Sequence, residues 1–204
     1  MRYWWRYLRC RWFSSPRWTA NNFTPIITFE MAKLEMLFPR QKIDLAVNRL
    51  AGEIRRDFSD KNPLFVGVLK GSFIFMADLV RRLEFPLEID FVTLSSYKND
   101  IKSCGEVTMK GCFDRDLKDR HIIVVEDIVD TGLTLHYLLD NLHSGSPADV
   151  RLCALLEKPS RRKKPLDINY LGFQVPDRFI VGYGMDCAEQ YRNLPDIFCL
   201  DPEE

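Results

Sequence analysis

The stretch that decides the fold is VVEDIVDTGLTL, residues 124–135. An apolar run from His121 to Val125 meets two adjacent acids, Glu126 and Asp127, and a third acid and a Thr-Gly-x-Thr turn precede a helical pattern. A buried strand that stops on carboxylates and turns through small residues into a helix is typical of a ligand site in an α/β protein. Such a turn can direct backbone N–H groups and two hydroxyls at a phosphate, assisted by the helix N-terminus.

The three acids of this stretch have several chemical uses, because carboxylates can hold sugar hydroxyls, a divalent metal or a proton in transit. A solvated strand end followed by a helix cap is the plainer interpretation. Three acids together with Thr-Gly-x-Thr favour a ligand site. Neither a Walker loop nor a G-x-G-x-x-G turn is present.

Strand and helix patterns alternate on both sides of this motif. We predict three helices, over 43–58, from about residue 73 and over 135–142. The apolar residues on one side of the second helix are Phe73, Met76, Ala77, Val80 and Leu83. The predicted strands are 64–69, 87–94, 121–125, 150–156, 168–175, 179–183 and 197–200, with a short strand or hairpin arm within 106–113 and a mobile polar loop over 95–105. The alternation predicts an α/β fold with a mostly parallel sheet, whose strand ends bring Lys70, Lys158 and the three acids together.

The bulk composition fits an ordinary globular domain. The chain has 204 residues, of which 46% are hydrophobic and 28% are charged. Its formal net charge is zero, so a general nucleic-acid surface is not expected. No apolar run approaches roughly 20 residues, so a membrane span is not expected either. Six scattered cysteines without a C-x-x-C pair favour a reducing compartment, the cytoplasm, over a zinc site or a disulfide framework.

The first 30 residues differ in composition from the rest. They hold all four tryptophans and five arginines against one acid. We interpret 1–30 as a disordered or artefactual extension, with Met31 or Met36 as the working start, and 31–204 as one domain. A transit peptide and a membrane-surface segment remain alternatives.

The central motif resembles the phosphoribosyl-pyrophosphate (PRPP) signature of the type I phosphoribosyltransferases, in the form of the 6-oxopurine branch. The resemblance runs from about Ile43 to the C-terminus. It includes the segments 69–72, 95–97, 103–106, 157–158, 176–186 and 192–195. It implies a type I phosphoribosyltransferase fold: a mostly parallel sheet flanked by helices, with a small hood built from the N- and C-terminal segments.

The resemblance also implies roles for the motif residues. The 5′-phosphate would bind at Asp130, Thr131, Gly132, Leu133 and Thr134, where Gly132 allows the backbone to come close. Glu126 and Asp127 would accept bonds from the ribose hydroxyls, directly or through Mg²⁺. Asp130 would lie near purine N7 as the general base or acid.

Other segments would hold pyrophosphate and the base. Lys70 and Gly71 resemble the pyrophosphate loop, in which the Leu69–Lys70 peptide can be cis. Asp186 resembles the residue that binds a second Mg²⁺ near pyrophosphate and is also implied as a purine contact, and Arg192 resembles a pyrophosphate contact.

The base would meet Lys158 at its exocyclic O6, with Phe179 stacking on the purine and the Ile180 backbone at its far edge. Ser96 and Tyr97 would belong to a flexible loop that closes over the site. Cys104 departs from the hydroxyl residue expected in that loop, which would alter closure or make the site sensitive to oxidation.

The implied activity is purine salvage: transfer of 5-phosphoribosyl from PRPP to hypoxanthine, and also guanine, giving IMP or GMP and pyrophosphate. The implied cofactor is Mg²⁺, and the expected assembly is a homodimer or homotetramer. A regulator with this fold that binds nucleotide or RNA without catalysis is an alternative, which the retained Asp130, Lys158 and Phe179 and the neutral charge disfavour. A transferase that prefers xanthine is a second alternative.

Overall fold

The computed structural model describes residues 34–96, 107–110 and 115–200. Its helices are α1 (Arg40–Phe58), α2 (Phe73–Val80) and α3 (Leu133–Ser144), with a 3-10 turn at Pro159–Arg161. The strands in these ranges are β1 (Leu34–Phe38), β2 (Leu64–Leu69), β3 (Glu88–Ser96), β4 (Val107–Lys110), β5 (His121–Val129), β6 (Asp149–Glu157), β7 (Tyr170–Gln174), β8 (Phe179–Val181) and β9 (Ile197–Leu200).

The larger sheet has β5 near its middle, in the order β4-β3-β2-β5-β6-β7. The pairs from β3 to β7 are parallel, and β4 pairs antiparallel with the edge of β3. Residues 122–125 are all buried because apolar clusters cover both faces of the sheet, α1 and α2 on one side and α3 on the other. The predicted α/β sheet is therefore confirmed, and β4 is the predicted hairpin arm.

The prediction that the central strand ends before its acids is wrong. β5 continues through Glu126 and Asp127 to Val129. The reason is that β6 stays paired along this extension, whereas pairing with β2 stops at Val125. The two acids therefore lie inside a strand, at the point where it loses one of its neighbours.

The predicted face of α2 is also wrong in part. Phe75, Met76 and Leu79 are the buried residues of this helix, whereas Phe73 and Ala77 are exposed. An eight-residue helix that is apolar on nearly every side has no clear periodicity, so the core decides which face is buried. The faces of α1 and α3 follow the predicted spacing.

A second sheet, β1-β9-β8, forms the hood that the resemblance implied. It joins the first described strand to the last one, and all its pairs are antiparallel. Sequence reasoning missed β1. Leu34 and Glu35 pair with Leu200 and Cys199, so a chain starting at Met36 would lack two of the hood's pairs. No helix among the described residues is long and apolar enough to cross a membrane.

Candidate active site

The turn between β5 and α3 presents the N-terminus of a 12-residue helix. Gly132 takes a left-handed φ of 77°, which glycine adopts without the steric cost of a Cβ, and α3 begins at the next residue. The capping position is thus a glycine, with no side chain to occupy the free N–H groups, and Thr131 Oγ1 lies 3.5 Å from Leu133 N. The helix dipole and these N–H groups favour an anion at this turn.

Glu126 and Asp127 are acids held in surroundings that disfavour their charge. Burial raises the pKa of Glu126 well above its usual value, and the neighbouring charge of Asp127 raises it further. Burial likewise raises the pKa of Asp127 to about 6, against backbone N–H bonds and Arg192 that lower it. Glu126 Oε2 is buried without a hydrogen-bond partner among the described residues. A buried, unpaired carboxylate is costly, so these oxygens are suited to a ligand that replaces water.

The loop after β2 presses against Asp127. A Cβ at Gly71 would lie 1.7 Å from Asp127 Oδ2, so a larger residue there would displace the Asp127 side chain. The hood approaches from the other side, since a Cβ at Gly184 would lie 2.1 Å from the Gly71 carbonyl oxygen. The Leu69–Lys70 peptide is cis, as the resemblance implied. The loop after β2 and the hood therefore meet through glycine backbone, next to the Asp127 side chain.

The hood loop that follows β8 brings charged groups to the same edge. Arg192 pairs with Asp186 at 2.7 Å and donates to the Gly184 carbonyl at 2.8 Å. The backbone N–H of Glu189 donates to Asp186 at 2.9 Å, and the Glu189 carboxylate pairs with Lys70 at 3.0 Å. The Lys70 bond lowers the pKa of Glu189. Because both members of that pair are exposed, a ligand could separate them at little cost.

A buried lysine lies where β6 ends. Lys158 is only 9% exposed, its N–H donates to the Val129 carbonyl at 2.9 Å, and within the described ranges no carboxylate pairs with its ammonium group. In the hood, Phe179 is 37% exposed and Ile180 is buried, as expected for neighbours on a strand. The Phe179 ring is thus available for stacking while Ile180 packs in the core.

Asp130 differs from the other two acids of its motif. Its Oδ1 accepts a bond from Arg161 Nε at 2.8 Å, and the same guanidinium lies 3.6 Å from Asp177. The raised pKa of Arg161 is caused first by this bond to Asp130. Asp130 is therefore ion-paired and half-exposed, whereas Glu126 and Asp127 are partly buried and form no ion pair within the described ranges.

The sequence-predicted residues fall into two groups. Those on the edge of the sheet and on the hood loop take part in the site described above. Ser96 is the last residue of β3, and Tyr97 and Cys104 lie outside the described residues. Sequence reasoning missed Arg161, Asp177 and Glu189 as site residues. Arg161 belongs to a basic run whose pattern is that of a solvated surface, so only the tertiary contact distinguishes it.

A metal ion at the described carboxylates would need additional ligands. No group of three His, Cys, Asp or Glu side chains in the described part of the chain could hold an ion alone. The buried, unpartnered Glu126 oxygen and the raised pKa of Asp127 nevertheless fit a cation that takes its other ligands from phosphates and water, as Mg²⁺ commonly does.

A parallel sheet whose central strand carries two acids and leads through a glycine turn into a helix, with a separate hood sheet, defines a type I phosphoribosyltransferase. The phosphoribosyl transferase domain family matches residues 33–188, and the chain belongs to that family.

The more specific likeness is to hypoxanthine-guanine phosphoribosyltransferases of bacteria. The one from Bacillus subtilis is 42% identical over 168 residues, 82% of this chain and 93% of the relative. The hypoxanthine phosphoribosyltransferase of Haemophilus influenzae is 40% identical over 164 residues, 79% of this chain and 92% of the relative. A crystal structure of the Bacillus anthracis hypoxanthine-guanine enzyme superposes with a TM-score of 0.77 at 45% identity, covering 82% of this chain and 98% of that one.

Proposed function

We propose that this chain transfers the 5-phosphoribosyl group of PRPP to N9 of hypoxanthine, and also of guanine, in purine salvage. The products are IMP or GMP and pyrophosphate. The observation that carries the proposal is an uncapped helix N-terminus that directly follows two acids with raised pKa values, Glu126 and Asp127, together with a buried lysine at the end of β6 and an exposed aromatic ring on the hood. Each of these suits one part of the substrate pair.

The phosphate and the ribose bind along β5 and its turn. The 5′-phosphate accepts bonds from the N–H groups and hydroxyls of residues 130–134, where the left-handed Gly132 brings the backbone close. The ribose hydroxyls donate to Glu126 and Asp127. Glu126 gains by the exchange, because its Oε2 is buried without a partner among the described residues and a hydroxyl would supply the missing hydrogen bond.

Pyrophosphate leaves on the side of the Gly71 loop and the hood. Lys70 and Arg192 supply cationic donors for the charge that develops on it, and the close-packed glycines let its oxygens reach backbone N–H groups. We propose Mg²⁺ as the cofactor, with Glu126, Asp127 and Asp186 as the carboxylates that would hold it. When bound, the ion neutralises charge on the leaving group.

The base binds between Lys158 and Phe179. The Lys158 ammonium donates to the exocyclic O6, and the half-exposed Phe179 ring stacks on the purine while the Ile180 backbone meets its far edge. As N9 bonds to C1′, the bond from C1′ to the pyrophosphate oxygen breaks. Asp130 accepts the proton that the purine releases at N7.

A four-base assay tests this proposal. The protein is incubated with PRPP, Mg²⁺ and hypoxanthine, guanine, xanthine or adenine, and nucleotide formation is followed. We expect IMP and GMP and little AMP, because adenine presents an amino donor to the Lys158 donor. The absence of product from every oxopurine would overturn the enzyme proposal. Comparable use of adenine would overturn the role of Lys158, and a preference for xanthine would change the substrate.

We propose that the protein works in the cytoplasm as a homodimer or homotetramer. Cys153 is a buried free thiol, as is usual in a reducing compartment. Ile89 and Phe91 are exposed on the same face of β3, and exposed apolar side chains that adjoin one another are typical of association surfaces.

The oligomer proposal is tested with a matched pair of variants. Ile89→Asp should lower the mass measured by light scattering toward that of one chain. Leu45→Asp, which charges an isolated side chain that is 70% exposed on α1, should leave the mass unchanged. A single-chain mass for the wild type would contradict the assembly, and an unchanged Ile89→Asp oligomer would move the interface elsewhere.

A further inference from the structure

The basic run Arg161-Arg162-Lys163-Lys164 has no task in the reaction as described, yet its four side chains differ in their surroundings. Arg162 forms a largely buried ion pair with Glu157. Lys163 and Lys164 are exposed, and in the described ranges no carboxylate pairs with them. Arg161 alone reaches the acid at the start of the phosphate turn. The run is therefore not a uniform solvated surface.

Arg161 is placed to join the β5–α3 turn to the segment that leads into β8. It ends the 3-10 turn that follows Lys158, and its backbone N–H donates to the Lys158 carbonyl at 3.1 Å. Its guanidinium lies 2.8 Å from Asp130 Oδ1 on the β5–α3 turn and 3.6 Å from Asp177 on the connection to β8. Asp177 comes two residues before Phe179.

The geometry of the Asp130 contact leaves that acid available. The guanidinium Nε donates to Oδ1, and no other hydrogen bond to the Asp130 carboxylate occurs among the described residues. A charge-assisted bond to one oxygen of a carboxylate restricts its rotation and directs the second oxygen. A planar guanidinium can hold acids on two segments at once, which a lysine ammonium does with less precision.

We propose that Arg161 is a positioning residue that orients Asp130 toward the base and ties the segment carrying Phe179 to it through Asp177. This inference rests on the proposed function, since it assigns Arg161 to the same reaction. Arg161 acts through the two aspartates and does not contact the reacting atoms. An exposed ion pair without this role would contribute little to stability or rate.

The test is steady-state kinetics with hypoxanthine and PRPP on Arg161→Gln, Arg161→Lys, Asp177→Asn and the control Lys164→Gln. We expect Arg161→Gln to lower kcat about 10–100-fold while KM for PRPP stays within about 3-fold, because a misdirected general base slows chemistry without weakening phosphate binding. Arg161→Lys should recover part of the loss, Asp177→Asn should lower kcat about 3–10-fold, and Lys164→Gln should match the wild type.

A double-mutant cycle tests whether Arg161 acts through Asp130. In an Asp130→Asn background, Arg161→Gln should lower kcat by less than about 3-fold, since residues that act as a unit are not additive. A kcat for Arg161→Gln within about twofold of the wild type, a loss confined to KM for PRPP, or an undiminished loss in the Asp130→Asn background would each overturn the role. Should Arg161→Gln fail to fold, Arg161→Lys and Asp177→Asn test the same link. An inactive wild type would instead overturn the proposed function.

Discussion

The acids of the site form two groups whose surroundings are opposite. Glu126 and Asp127 lie inside β5, partly buried and without an ion pair in the described structure, and the pKa of each is raised. Asp130 and Asp186 lie in loops, and each is held by an arginine within 2.8 Å. Neighbouring carboxylates in one site can therefore differ in ion pairing and in pKa, and so serve different tasks. The unpaired acids can bind a ligand directly, whereas the arginine partners fix the orientation of the paired acids before a ligand binds.

Substitution of Asp130 should have the largest effect on the reaction. Asp130→Asn keeps the shape of the side chain but removes its ability to take a proton, so we expect kcat to fall by about 10²–10⁴-fold. KM for PRPP should change by less than about 3-fold, because the phosphate turn is intact. Steady-state kinetics with hypoxanthine measures both constants. A rise in KM with an unchanged kcat would assign Asp130 to binding alone.

Asp127→Asn should have the next largest effect, which is on the affinity for PRPP and not on kcat. One charge-assisted interaction with the ribose or the cation is lost, so the dissociation constant of PRPP in the presence of Mg²⁺ should rise about 10–100-fold. Calorimetric titration of the variant against the wild type gives the ratio. Equal PRPP affinities would remove Asp127 from the ribose site.

The smallest effect is a change in how stability depends on pH. The folded pKa of Asp127, about 6, lies above the usual value of 3.8, so the folded protein binds the proton more tightly than the unfolded chain does. The free energy of unfolding should therefore fall as pH rises from about 4 to about 6, with a contribution from this group of about 1–2 kcal/mol.

Denaturant unfolding without Mg²⁺ or PRPP checks that sign. Asp127→Asn has no proton to lose, so its unfolding free energy should exceed that of the wild type at pH 7 and vary less between pH 4 and 6. A variant less stable than the wild type at pH 7 would show that the unpaired carboxylate is not a cost to the fold.

Local sequence signals were sufficient for most of the core. The strand Leu64–Leu69 is found where it was predicted, because a continuous apolar run bounded by Pro63 and Lys70 has few other solutions. Leucines at helical spacing likewise gave the buried face of α3. The convergence of the strand ends followed from the handedness of parallel crossovers.

Features that depend on distant partners were beyond such signals. β1 exists because β9 pairs with it from the far end of the chain, and β5 extends past Val125 because β6 stays alongside. The pairing of Arg161 with Asp130 spans 31 residues and has no periodic signature. The two groups of acids could therefore be located from the sequence, but their different surroundings could not.

The most direct test of that difference is the number of protons released when Mg²⁺–PRPP binds at pH 6. It is obtained by calorimetric titration in two buffers of different ionisation enthalpy. Ligands that favour a charged carboxylate drive protons from acids whose pKa is raised, so the wild type should release more protons than Asp127→Asn. Asp130→Asn should release as many as the wild type. Equal proton release from the wild type and Asp127→Asn would contradict the claim that the ligand binds to an Asp127 carboxylate whose pKa is raised.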